Sequence, residues 1–200
     1  MRVEALTFLF VSFVAQAVAA QAPAEIQQWF EAGQYQQIVD AVPEPEDPRT
    51  QYLAGLSYEK LDRPRDARRV FDSLMARPDS DPWAHIGSSA ASLLDATMTA
   101  EAERAARRAI ELGSGLSMAH YQLGLVHGRQ KDYERAVTAF DAAINAEPRF
   151  AYAHYYAGLS YYQIDRTDKM ASAFEYFLTL APGAPERGQV ASIMRTLRGR

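Results

Sequence analysis

Histidine is the residue type in this chain best placed to do chemistry, because three of its four histidines recur in step. His85, His120 and His154 each follow an alanine, in the pairs Ala84-His85, Ala119-His120 and Ala153-His154. Regularly placed imidazoles raise the question of a shared metal ion. Zinc needs every ligand nitrogen about 2.1 Å from the ion. Equivalent side chains of stacked helical units lie about one helix-packing distance apart, roughly 10 Å. The three imidazoles therefore do not converge on one ion in a regular stack. His127 follows His120 by two helical turns, which is also too far. The expectation is structural histidine and no metal site.

Other chemistry is equally sparse. The sequence has no H-E-x-x-H, no Gly-x-Ser-x-Gly and no phosphate-cradling glycine loop. Cysteine is absent, which excludes disulfides, thiolate zinc sites, a cysteine nucleophile and an acylated lipoprotein cysteine. No catalytic residue, cofactor or small-molecule substrate is expected, and the chain reads as a non-enzyme. The net charge of −4 and a pI near 5.6 give no global attraction to nucleic acid or to an anionic membrane.

The elements that carry the histidines repeat as well. Gly55, Ser89, Gly124 and Gly158 are spaced by 34, 35 and 34 residues, and Pro148 and Pro182 by 34. A fixed period in this range marks a repeat architecture. In the clearest unit, Ser117 to Pro148, one helix ends at the polar turn Lys131-Asp132-Tyr133. In the second helix Ala136, Phe140 and Ala143-Ile144 form one apolar face. Pro148 stops that helix. Gly124 and Ala136 lack bulk where two antiparallel helices must approach, and Tyr133 and Phe140 fill the space beside them.

These residues resemble the tetratricopeptide repeat. Leu123-Gly124, Ala136, Phe140 and Pro148 match its pattern; so do Ala157-Gly158, Tyr161, Phe174 and Pro182, and Ala54-Gly55, Tyr58, Ala67 and Phe71. Met170 departs from it, standing where a small alanine is expected, and Pro78 closes its unit one residue early. The unit from Pro82 is weakest, with Ser88-Ser89, Ala106 in place of a phenylalanine and an extra residue between Asp95 and Thr99. The resemblance implies an all-α, right-handed α-solenoid of helix-turn-helix repeats over residues 48–81, 82–116, 117–150 and 151–182. A degenerate N-terminal repeat over 21–47 and a capping helix over 183–200 flank them. In that setting the histidines replace a larger aromatic inside the hairpin.

Residues 1–20 run from Met1-Arg2 through an apolar stretch, Ala5 to Ala15, to small residues at Ala17-Val18-Ala19-Ala20. This is the pattern of a secretory signal peptide cut after Ala19 or Ala20. It places the mature protein in a bacterial periplasm; the alternative is an uncleaved N-terminal membrane anchor.

The family resemblance also implies a concave groove lined by the first helix of each repeat. Its positions here hold Tyr52, Leu56, Trp83, Ile86, Met118, Tyr121, Leu125, Tyr152, Tyr155, Tyr156, Leu159 and Tyr162. Tyr52, Trp83, Tyr121, Tyr152, Tyr155, Tyr156 and Tyr162 are the candidate partner-binding residues, since aromatic enrichment without charge is typical of interface cores. The alternative is that several pack between repeats. The Lys, Asn and Arg that clamp a terminal carboxylate in chaperone-binding members are replaced by residues such as Tyr52, Leu56 and Gly87. The expected partner is a protein or peptide segment, in envelope assembly, secretion or pilus biogenesis. A homodimer sealed by the same aromatics, or a membrane-tethered accessory subunit, is the alternative. The arginines around Arg63–Arg69 and Arg104–Arg108 read as solvated helix faces. Arg195, Arg198 and Arg200 could touch a lipid surface or a partner.

Overall fold

The computed structural model describes residues 22–42 and 46–198, and all regular structure within them is helical. Residues 1–20, expected to be a signal peptide, lie outside them. The helices run α1 (Ala22–Glu31), α2 (Tyr35–Ala41), α3 (Pro48–Lys60), α4 (Pro64–Met75), α5 (Pro82–Leu93), α6 (Thr99–Leu112), α7 (Ser117–Arg129), α8 (Tyr133–Ala146), α9 (Ala151–Gln163), α10 (Thr167–Leu180) and α11 (Arg187–Arg198). They pair as antiparallel hairpins that stack in chain order, and no helix among the described residues is long and apolar enough to cross a membrane.

Local sequence explains where the helices begin and end. Pro48, Pro64 and Pro82 open α3, α4 and α5, where a missing N–H costs nothing. Asp47, Asp81 and Asp132 cap α3, α5 and α8 by accepting from the backbone amides of Thr50, Trp83 and Arg135. The turns inside the hairpins place Gly33, Asp62, Lys131 and Asp165 in the left-handed region, at φ of 74°, 55°, 61° and 56°. The extra residue of the second unit is taken up differently: the Asp95 carboxylate accepts from the Thr97 amide and hydroxyl.

Three hairpins, α3–α4, α7–α8 and α9–α10, close on a glycine–phenylalanine contact. The Phe71, Phe140 and Phe174 rings lie against Gly55, Gly124 and Gly158, and a Cβ on Gly124 or Gly158 would come within 2.5 Å of its ring. All three rings are buried, worth roughly 3 kcal/mol each in transfer free energy. The α5–α6 hairpin has Ala106 where the ring would be. There the Ser89 hydroxyl donates to the Ala102 carbonyl of α6 at 2.8 Å, replacing the ring contact with a buried hydrogen bond. Ala67, Ala102, Ala136 and Met170 occupy the same register and are all fully buried, so the methionine is packed into the position where alanine was expected.

The recurring histidines share one hydrogen-bond pattern, and His154 also stacks on Tyr176 across its hairpin at 5.0 Å. The Nε2–H of His85, His120 and His154 donates to the carbonyl of Asp79, Ser114 and Pro148, at 2.8, 2.7 and 2.9 Å. Each acceptor lies six residues upstream, in the loop that joins one hairpin to the next. A carbonyl only accepts, so Nε2 must carry the proton. The period in the histidines is thus a repeated loop tie, and no cluster of metal-ligating side chains forms among the described residues.

The stack winds until its two ends meet. The Tyr35 and Tyr152 hydroxyls are 2.9 Å apart, Arg49 pairs with Glu147 at 2.5 Å, and Lys60 pairs with Glu186 at 3.0 Å. Phe30 packs edge-on to Tyr152 at 5.2 Å, and Pro185 sits directly over Gly33. The alanine- and serine-rich α5–α6 hairpin gives the inner side little bulk. Gly87 and Ala90 of α5 stand in the registers held elsewhere by Leu53, Gln122 and Tyr156 and by Leu56, Leu125 and Leu159. Gly87 lets α5 approach α4 closely, since a Cβ there would lie 2.5 Å from Leu74 Cβ, and α3 and α7 reach one another across α5 through Tyr52 and Gln122.

Candidate functional site

The inner face holds a cleft of about 680 Å³, within the range of ligand-binding pockets. Its apolar walls come from one helical register repeated along the stack: Leu56 of α3, Ala90 of α5, Leu125 of α7 and Leu159 of α9. The next inward register supplies Lys60, Arg129 and Gln163 from α3, α7 and α9. Phe30 closes one side, and Tyr121, Phe140 and Tyr156 form an aromatic wall in which Phe140 and Tyr156 stack at 5.9 Å and 20°.

At the floor lies Gln122, only 1% exposed. Its Oε1 accepts from the Tyr52 hydroxyl at 2.6 Å. Its Nε2 has no hydrogen-bond partner among the described residues. A buried amide donor left unpaired costs about 1–3 kcal/mol, so an acceptor entering the cleft would recover that cost.

The cleft's charges come from Lys60, Arg129 and Lys131 against Glu59. Burial raises the Glu59 pKa above the usual carboxylate value, against the opposing pull of Arg129 and Lys60. Burial works the other way on Lys60. The Tyr156 and Tyr35 hydroxyls and the Glu186 carboxylate outweigh it, so the Lys60 pKa lies above the ordinary lysine value and the ammonium stays charged. Burial likewise raises the Tyr156 hydroxyl, which Lys60 opposes. Nothing here forms a nucleophile–base pair.

The seven candidate partner-binding residues divide into three groups. Tyr52, Tyr121, Tyr152 and Tyr155 are buried. Tyr52 is spent on Gln122, and Tyr152 bonds both Tyr35 and Glu186. Tyr155 lies against Phe177 at 5.0 Å. Trp83 and Tyr156 are half-buried, and Tyr162 is exposed at 55%. Tyr121 and Tyr156 line the cleft; Tyr52 and Tyr152 instead serve the closure that narrows the concave side. Gln122, Lys60, Glu59 and Arg129 belong to the cleft but not to the sequence-derived set. The one signal that could have marked Gln122 is a polar residue in a register otherwise held by leucine, glycine and tyrosine. The arginine clusters are paired on the outer faces, Arg63 and Arg69 with Asp66, Arg68 with Asp72, Arg104 with Glu101, Arg107 with Glu103 and Arg108 with Glu111.

Two family models, both described as tetratricopeptide repeat, match residues 49–80 and 121–185. No curated protein matches the sequence. Among solved structures, the fold is similar to a thermophilic TPR protein of Thermus thermophilus, with a TM-score of 0.61 at 19% identity over 79% of this chain and 87% of that one. It is also similar to MamA, with a TM-score of 0.50 at 24% identity over 73% of this chain and 84% of that one. A second MamA structure gives 0.50 at 21% identity over 84% and 90%. At these identities the likeness is one of fold. The glycine–phenylalanine hairpins, their period and these matches agree: the chain carries tetratricopeptide repeats and folds as an all-α solenoid of them.

Proposed function

We propose that this protein is a non-enzymatic scaffold that binds a segment of another protein in the inner cleft. The observation that carries the reading is the cleft itself: four apolar register positions around Gln122, whose buried Nε2 donor has no partner among the described residues. A pre-formed surface of this kind lowers the ordering cost of binding. The Tyr156 and Tyr121 rings supply the aromatic anchor, with Trp83 and Tyr162 at the periphery. The N-terminal sequence pattern favours a periplasmic setting, and with it a role in envelope assembly, secretion or pilus biogenesis.

The test places a photo-reactive amino acid at Leu125, in the cleft, or at Arg108, on the outer face of α6. Cross-linking in native envelopes should trap a discrete partner from position 125 and none from 108. Leu159→Glu should abolish the cross-link while the far-ultraviolet circular dichroism stays helical. Trapping from position 108 alone would move the binding surface to the convex side.

Self-association is a second reading, favoured by two tyrosines left in solvent, Tyr162 at 55% and Tyr176 at 60%. Light scattering that finds a monomer at high concentration removes it.

A further inference from the structure

The inner cleft is more enclosed than an open groove. Phe30 of α1 packs on Tyr152 of α9, so the first hairpin meets a late one and closes one side. We propose that the chamber left inside takes a small, uncharged amphiphile, a carbonyl head on a single unbranched apolar tail. Its volume of about 680 Å³ suits such a ligand. Leu56, Leu125 and Leu159, one residue from each of three helices, form the apolar surface for the tail. The small molecule goes beyond the scaffold role. Only its consequence, displacement of the protein segment from the same volume, rests on that role.

The head is set by donors without an acceptor. Gln122 Nε2 is buried and unpaired. The Tyr121 and Tyr156 hydroxyls belong to the same lining and make no hydrogen bond among the described residues. Burial, and after it the nearby hydroxyls of Tyr156, Tyr52 and Tyr152, raises the Tyr121 pKa well above its ordinary value, so that hydroxyl keeps its proton. All three donors are neutral, and a carbonyl oxygen offers them two lone pairs. Charge selects against a carboxylate. Lys60 is already paired with Glu186 at 3.0 Å, Arg129 acts on Glu59 in the same cleft, and Lys131 is exposed to solvent. A carboxylate beside Gln122 would be buried with no free counter-ion, and an ammonium there would meet donors where it needs acceptors.

The experiment titrates the full chain calorimetrically with octanamide, octanoate and octylammonium, which share a tail and differ in the head. Octanamide should bind once per chain, about tenfold more tightly than either charged twin. Hexanamide, two methylenes shorter, should bind about tenfold more weakly than octanamide. The double variant Tyr52→Phe with Gln122→Leu removes the amide donor while leaving no buried group unpaired, and should weaken octanamide about tenfold. Tyr156→Phe should weaken it about threefold. Saturating octanamide should suppress the cross-link from position 125. Octanoate binding at least as tightly would overturn the neutral head. Many molecules per chain, or full affinity in both variants, would mean adhesion to apolar surface at large and overturn the site. A cross-link that persists in saturating octanamide would overturn displacement. If octanamide fails to bind while the cross-link forms, this inference falls and the scaffold stands. If octanamide binds and nothing cross-links, the scaffold falls and the small-molecule site stands.

Discussion

The Tyr52 hydroxyl donates to Gln122 Oε1 at 2.6 Å, joining α3 of one hairpin to α7 two hairpins further along the stack. Both residues are essentially solvent-free, so the bond has no water to fall back on. Tyr52→Phe leaves Gln122 Oε1 buried and unpaired, and should cost about 1–3 kcal/mol in urea unfolding. Adding Gln122→Leu should return most of that loss, because the pair is then apolar on both sides. Simple additivity of the two losses would show that the bond does not couple the hairpins.

Glycine in this chain is specific to position. Gly124→Ala drives a methyl group into the Phe140 ring and should cost about 1–3 kcal/mol through overpacking. Gly128→Ala, four residues on in the same helix, meets nothing within 4 Å. It should stabilise by about 0.5–1 kcal/mol, since glycine is a poor helix former. Thermal unfolding of the two variants should therefore move in opposite directions. A loss at position 128 equal to that at 124 would mean that helix α7, not the ring contact, sets the requirement.

The hairpin was readable in the sequence because its logic is local. A missing Cβ at Gly124 and a ring at Phe140 lie within one hairpin, and the same pairing recurs with the period. The closure was not readable. It accumulates from small rotations between successive hairpins, and no single spacing records their sum. This explains the fate of the tyrosines. A tyrosine on the inner helix face reads as an exposed anchor, yet Tyr152 ends up buried because Tyr35 and Glu186 arrive from opposite ends of the chain to bond its hydroxyl. Gln122 escaped notice for the converse reason: its polarity on an inner face carries meaning only once Tyr52 is seen to occupy one end of the amide.

His154 should make stability depend on pH. The ring is 5% exposed, stacks on Tyr176 at 5.0 Å and donates to the Pro148 carbonyl. Burial lowers its pKa below the ordinary value of 6.5; the Pro148 carbonyl and the Asp141 carboxylate only partly offset this. The unfolded chain therefore takes up the proton first as pH falls, so stability drops from about pH 6.5 down to the folded pKa and levels off below it. Urea midpoints measured between pH 8 and pH 5 should fall for the native protein. His154→Gln should flatten the portion of that slope that His154 carries. An unchanged slope would assign it to other groups.

The two ends of the solenoid are held by charge as well as by apolar contact. Arg49 reaches Glu147, which also accepts from Ser117, and Lys60 reaches Glu186, which also accepts from Tyr152. A solenoid in which only neighbours touch unfolds piecemeal, while these ties couple its first hairpins to its last. Arg49→Met and Lys60→Met keep the aliphatic stems and remove the charges, each costing about 1 kcal/mol at such partly exposed sites. In the double variant the radius of gyration from X-ray scattering should rise. The fluorescence transition, which reports Trp29 of α1 and Trp83 of α5, should fall to lower urea than the loss of helix seen by circular dichroism. In the native protein the two transitions should coincide. Coincident transitions and an unchanged radius in the variant would assign closure to the uncharged contacts of Phe30 and Tyr35 with Tyr152 and of Pro185 with Gly33, and Phe30→Ala should then loosen the closure and widen the cleft whose side Phe30 forms.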